Sequence, residues 1–284
     1  MEAKIQRMKE LIKILSEAGK AYYQESREIM SNYEYDRLYD ELLSLEKETN
    51  TVLSGSPTQN VGYEVLSELP KEAHERPMLS LNKTKSVEEL QEWLGDKKGL
   101  LSWKMDGLTI VLTYENGSLA KAVTRGNGEI GEVITSNARV FANIPLNINY
   151  KGLLILRGEA VIKYSDFNRI NEEIEDVDAK YKNPRNLCSG SVRQLNSQIT
   201  AQRNVHFFAF SLVQADGVDF KNSREEQFLW LKSQGFDTVE WKDVTRETLP
   251  AAVESFAGAI GTNDVPSDGL VLLFDDIAYG QSLG

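Results

Sequence analysis

Apolar residues first recur at helical spacing. Ile5, Met8, Ile12 and Leu15, with Leu11 and Ile14 widening the stripe, predict an amphipathic helix ending near Gly19 or shortly after. Ser31 followed by Glu34 is a capping-box pattern that opens a second helix, carrying Tyr35, Leu38, Tyr39, Leu42 and Leu45 on one side. The stretch from Thr49 to Gly62 is rich in turn formers, with Ser54-Gly55-Ser56-Pro57 at its centre, and predicts a domain boundary: a helical domain over 1–55 and a second domain over 56–284. Beyond it the pattern changes to short β-rich runs at Leu108 to Tyr114, Ser118 to Thr124, Leu153 to Leu156, Val205 to Val213 and Leu270 to Phe274. Asn116-Gly117 between the first two is a strong hairpin signal, because both residues accept positive φ. Helical segments are expected around Val87 to Leu94, Tyr164 to Ile174 and Ser223 to Gln234, so the fold class is α+β: N-terminal helices, then antiparallel sheets with flanking helices.

The chain has 284 residues, 41% hydrophobic and 26% charged, a globular rather than disordered composition. With 32 Lys+Arg against 43 Asp+Glu the net charge is −11, which argues against a free-standing nucleic-acid binder. Charge is uneven, however. Residues 171–178 carry five acids, whereas Ala179 to Asn204 hold Lys180, Lys182, Arg185, Arg193 and Arg203 and no acid. That island could face phosphates or be a solvated loop. The single cysteine, Cys188, forms no internal disulfide and is expected to be a small packed residue; no Cys/His spacing suits zinc, and His74 and His206 receive no role. The N-terminus lacks a signal-peptide core, and no apolar run reaches the ~18 residues a membrane span needs. A cytoplasmic monomer without a membrane partner is expected.

The most informative tetrapeptide is Lys104-Met105-Asp106-Gly107, just before the run at Leu108. An amine attacks phosphorus only when neutral, so a catalytic lysine calls for burial or nearby cations. In an extended segment Lys104 and Asp106 share a face, and Gly107 permits close backbone approach. Taken alone the motif is weak and also reads as a surface turn. Arg157-Gly158-Glu159 and Asp268-Gly269-Leu270-Val271 lie downstream, each on a β-run. This order resembles the nucleotidyltransferase motifs of DNA ligases, RNA ligases and mRNA capping enzymes.

Tyr22-Tyr23 and Ser31-Asn32-Tyr33-Glu34-Tyr35-Asp36 narrow the resemblance to NAD-dependent bacterial DNA ligases, as a divergent member. So do Ser56-Pro57-Thr58-Gln59, Pro77-Met78-Leu79-Ser80-Leu81, Thr124-Arg125-Gly126, Thr135-Ser136-Asn137, and Asn183-Pro184-Arg185-Asn186 running to Arg193-Gln194-Leu195. The resemblance implies that Lys104, with Asp106 beside it, attacks the α-phosphate of NAD and becomes AMP-lysine, releasing nicotinamide mononucleotide. It implies that the 1–55 domain grips the nicotinamide half through Tyr22, Tyr23, Asn32, Tyr35 and Asp36. Ser80, Leu81 and Ser102 would border the adenine, with Arg125 and Glu159 at the nucleotide. Glu159 and Asp268 would hold Mg²⁺ or Mn²⁺, and Arg185 and Arg193 would touch phosphates of nicked double-stranded DNA. The biological setting implied is DNA replication and repair.

Several positions depart from the family pattern. Tyr23 stands for the usual His, Asn32 for Asp, Ser102 for Glu, Asn127 for Asp, and Leu273 for the Lys that would reach the phosphate. A missing cation near a transferring phosphate weakens transition-state stabilisation, so slow adenylation is expected. One alternative is a degenerate paralogue that binds NAD, AMP or a DNA end without turnover; another is a transferase using ATP or GTP, against which the Tyr22 to Asp36 signature speaks. The chain is expected to be the clamp plus adenylation region, stopping before the OB-fold and the zinc module of a longer family member.

Overall fold

A computed structural model describes residues 1–25, 27–59, 66, 68–74, 78 and 81–283, with the side chains of 22–25 and 178 left aside. Helix α1 (Glu2–Glu25) packs against α2 (Asn32–Thr49). Their shared core is Ile5, Met8, Leu11, Leu15, Leu42 and Leu53, flanked by Tyr35, Leu38 and Tyr39. Ser31 caps α2, its hydroxyl accepting from the Glu34 N–H at 3.1 Å. Helix α1 runs past its expected end because the buried stripe continues through the small residues Ala18 and Ala21. Gly19 between them lies in open space, where its propensity cost of about 1 kcal/mol does not break the helix.

The turn-rich segment is stitched to both sides. Buried Glu46 of α2 accepts from Ser56 Oγ at 3.0 Å and from Thr58 Oγ1, so burial raises its pKa while the hydroxyls pull it back. Strand β1 (Val52–Leu53) pairs with β7 (Pro145–Asn147), and Lys9 of α1 pairs with Asp237.

The large sheet has six strands in the order β1-β7-β5-β4-β8-β9, where β4 is Leu108–Glu115, β5 Ser118–Thr124, β8 Leu154–Val161 and β9 His206–Ala215. All its pairings are antiparallel. The β4–β5 turn has Asn116 at φ 51° and Gly117 at φ 80°, as the dipeptide predicted. One face of this sheet, through Ile110, Leu112, Tyr114, Leu154, Leu156 and Phe207, forms the main core with Phe141, Leu187, Val192 and Phe236. Cys188 is buried there, its thiol directed at Ala160 O. A second sheet, β10 (Trp241–Val244), β3 (Gly99–Met105) and β11 (Ser267–Phe274), is antiparallel and is covered by α9 (Leu249–Ala259), whose Phe256 meets Trp103 edge-on at 4.8 Å. A small ladder joins β2 (Lys71–Ala73) to β6 (Ile130–Glu132).

Helix α3 (Val87–Leu94) matches its expected span, and α5 (Tyr164–Glu172) and α8 (Arg224–Ser233) lie within theirs. Further elements escape the sequence patterns: the short strands β1, β2, β6, β7 and β10, the short helices α4 (Thr135–Ala138), α7 (Ser197–Ala201) and α10 (Ile277–Ser282), and three longer elements. Strand β3 shows no alternation because nearly every residue of Gly99–Met105 is buried. Helix α6 (Pro184–Val192) is rich in turn-forming residues, yet Asn183 caps it and Pro184 sits in its first turn. Helix α9 likewise begins with a proline in its first turn. Among the described residues no helix is long and apolar enough to cross a membrane.

Candidate active site

The two larger sheets meet at one short turn. Lys104 and Met105 end β3, Asp106-Gly107 follow, and Leu108 begins β4 in the other sheet. The Asp106 N–H donates to Pro266 O at 2.8 Å, just before β11. At Gly107 a Cβ would stand 1.9 Å from Ala160 O, so only glycine lets β4 approach β8 there. The Gly107 N–H and Thr109 Oγ1 donate to Glu159 Oε2 and Oε1 at 3.1 and 2.7 Å.

This junction opens a cavity of about 430 Å³, lined among others by Lys104, Asp106, Arg125, Glu159, Arg185, Arg193 and Asp268. Three of its cations face carboxylates: Lys104 Nζ lies 3.5 Å from Asp268 Oδ1, Arg185 Nε 3.6 Å from Asp106 Oδ1, and Arg193 Nε 2.6 Å from Glu132 Oε1. Burial pushes the Glu159 carboxyl up to about 7, against the hydrogen bonds from Thr109 and Gly107; neighbouring Asp106 adds to the rise and Arg185 opposes it. Lys104 is half-exposed rather than buried, and its amine faces an acid, with the arginines of the same cavity as its cationic surroundings. A space of this size suits a small polar ligand, and guanidinium groups around an amine suit its phosphates.

The remaining expected site residues lie elsewhere. Tyr22 and Tyr23 fall in the last turns of α1, but their side chains are outside the described set, as is Ser80. Asn32 and Asp36 are exposed on α2, and Tyr35 is half-buried against Tyr39 in the helix pair. None of these α2 residues lines the cavity, nor does exposed Leu81. Ser102 is buried in β3 between Trp241 and Val271, two residues from Lys104 on the same face. Asn127 holds its own turn, accepting from the Glu129 and Ile130 N–H groups. Leu273 pairs in register with Leu100, on the face of β11 shared by Gly269, the partner of Lys104.

The basic island divides. Arg185 and Arg193 reach the cavity from α6 and its C-cap, whereas Arg203 stacks over the Tyr181 ring. Thr109 and Glu132 also line the cavity and were not anticipated. Thr109 stands two strand positions from Gly107, a signal that was available. Glu132 carries no local signal, since its pairing with Arg193 is purely tertiary. His74, given no role, contacts the Arg125 carbonyl at 3.0 Å.

Two family models match: the NAD-dependent DNA ligase adenylation domain over 66–284, and the DNA ligase-like N-terminal NAD+-binding domain over 1–62. A DNA ligase of Ruminiclostridium cellulolyticum is 67% identical over 284 residues, covering 100% of this chain and 43% of that protein. One from Lachnoclostridium phytofermentans is 66% identical, covering 100% and 44%, and one from a Sulfurovum species is 36% identical, covering 97% and 44%. The chain thus spans less than half the length of these curated relatives.

Proposed function

Since the chain belongs to the NAD-dependent DNA ligase family, we propose that its cavity performs self-adenylation and that Lys104 is the nucleophile. The Lys104 amine forms a P–N bond to the α-phosphorus of NAD as the P–O bond to nicotinamide mononucleotide breaks. The product is AMP-lysine; Asp268, in contact with the Lys104 amine, orients it, and the proton that the nitrogen sheds passes to solvent at the half-exposed amine. The carrying observation is convergence: Lys104 and Asp268 from one sheet and Glu159 from the other meet Arg125, Arg185 and Arg193 around a single cavity.

Asp106 would orient Arg185 beside the phosphates, and Glu159 would border the ribose while fixing the turn after Lys104. The 1–55 helices, through Tyr22, Tyr23, Asn32, Tyr35 and Asp36, would hold the nicotinamide half, a division that the two family matches support. Ser80, Leu81 and Ser102 would border the adenine. Among the described residues no group of three or more His, Cys, Asp or Glu converges as a metal centre. A cation carried mainly by substrate phosphates and one or two carboxylates fits such a donor set. Mg²⁺ or Mn²⁺ held in that way by Asp268 and Glu159 would offset charge on the phosphate. In the whole protein, AMP would pass to the 5′-phosphate of nicked DNA near Arg185 and Arg193, in replication and repair within the cytoplasm.

The test is intact-protein mass spectrometry after stripping bound AMP and incubating with NAD and Mg²⁺. One adenylate on the wild-type chain and none on Lys104→Ala is expected. An unchanged wild-type mass, with NAD binding seen by calorimetry, would instead establish a binding module without turnover.

A further inference from the structure

Arg193 is held from two directions. Its own N–H bonds Ser189 O at the end of α6, and the carbonyls on either side of it, Val192 and Gln194, accept from the buried Asn137 side-chain amide at 2.6 and 2.7 Å. Its guanidinium donates through Nε to Glu132 Oε1 at 2.6 Å. Glu132 is itself fixed, paired with Lys71 across the β2–β6 ladder and anchored by its N–H to Thr124 Oγ1 at 3.0 Å.

A guanidinium carries five N–H donors in a planar fork, and a carboxylate at Nε leaves the outer Nη groups free to grip a second anion. Arg193 lines the Lys104 cavity with its side chain 51% exposed, so those groups are accessible. We infer that Glu132 and Asn137 are positioning residues that set Arg193, before any ligand arrives, to receive a phosphate group at the mouth of the cavity. Rotamer freedom is thereby lost in the free protein rather than on binding. The inference rests on the adenylation reading only in placing the reacting lysine in the same cavity.

Electrostatics alone makes the opposite prediction. Glu132 is a negative charge beside an anion site, so deleting it should strengthen phosphate binding. Positioning requires that deletion weaken it, which separates the two accounts by sign.

The experiment uses the full 284-residue chain. Fluorescence anisotropy compares nicked duplexes carrying a 5′-phosphate or a 5′-hydroxyl, and mass spectrometry follows adenylation against NAD concentration. Wild type should prefer the phosphorylated nick. Glu132→Ala should weaken that duplex about tenfold and erase the preference, at unchanged melting temperature, as loss of a charge-assisted bond implies. Glu132→Gln, whose amide oxygen still accepts from Nε, should restore the preference, which a merely structural defect would not do. If Glu132→Ala instead raises the NAD concentration for half-maximal adenylation and spares the duplex, the phosphate served is that of the dinucleotide. Tighter phosphate binding by Glu132→Ala overturns the inference, as does a wild type indifferent to the 5′-phosphate with no effect of the variant on NAD. Failure of the Lys104 reading shows separately, as a wild-type chain that takes up no adenylate.

Discussion

The N–H of Gly107 donates to Glu159 Oε2 at 3.1 Å, tying the turn after Lys104 to a carboxylate on the neighbouring strand β8. The same carboxylate takes the Thr109 hydroxyl, so both its oxygens serve the β3–β4 junction before any ligand arrives. Such a group can hold geometry and meet a ribose at once, but at an energetic cost set by its burial.

That cost has a definite pH signature. Burial raises the Glu159 carboxyl from 4.5 to about 7, so between those values the native state binds the proton more tightly than the unfolded chain. Stability therefore falls as pH rises through this window, and the penalty is complete above it. Glu159→Gln keeps an acceptor for Gly107 and removes the charge. The variant should match wild type near pH 4.5 and exceed it at pH 8, by something on the order of 3 kcal/mol. Urea unfolding at the two pH values measures this, and a gap that does not change with pH would refute it. Adenylation should fall in the same variant, a stability gain at the expense of function.

Gly107→Ala tests the junction sterically. The new Cβ would lie 1.9 Å from Ala160 O, a backbone atom with no flexible end to move aside. Strands β4 and β8 must part locally, displacing both the Glu159 contact and the Lys104 turn. The expected cost is roughly 2–4 kcal/mol in stability, with adenylate uptake lost even where the chain stays folded. Melting temperature and intact mass read the two effects, and wild-type adenylation by the variant would show that the turn tolerates displacement.

The hairpin at Asn116-Gly117, the Ser31 cap and the span of α3 were legible in the sequence because each depends on local chemistry. Lys104, Asp106, Glu159 and Asp268 were picked out by motif order and Arg125 by the family resemblance, and they line one cavity. Strand β3 was illegible because burial on both faces removes the alternation that marks a strand. Helix α6 was hidden by its helix-poor composition, and its stability comes from burying Leu187, Cys188 and Val192 against the large sheet. Glu132 could not be found at all. Its partner lies 61 residues away in the chain, and the contact exists only once β6 and α6 are in place.

Leu273 gives the last prediction. It sits on β11 four residues beyond Gly269, whose partner across the ladder is Lys104, so the two positions share a face roughly 13 Å apart. Leu273 is half-buried, and a lysine there can lay its methylenes along the strand while carrying the ammonium toward the cavity. A cation brought to a transferring phosphate lowers the barrier, whereas the native leucine supplies none. Leu273→Lys should therefore speed single-turnover adenylation by about tenfold or more, with a change in stability of less than about 1 kcal/mol. Mass spectrometry over time on stripped protein, beside a thermal melt, measures both. A rate equal to wild type in a fully folded variant would mean that no phosphate of the dinucleotide comes within reach of this position, and the slow adenylation expected of the chain would need another cause.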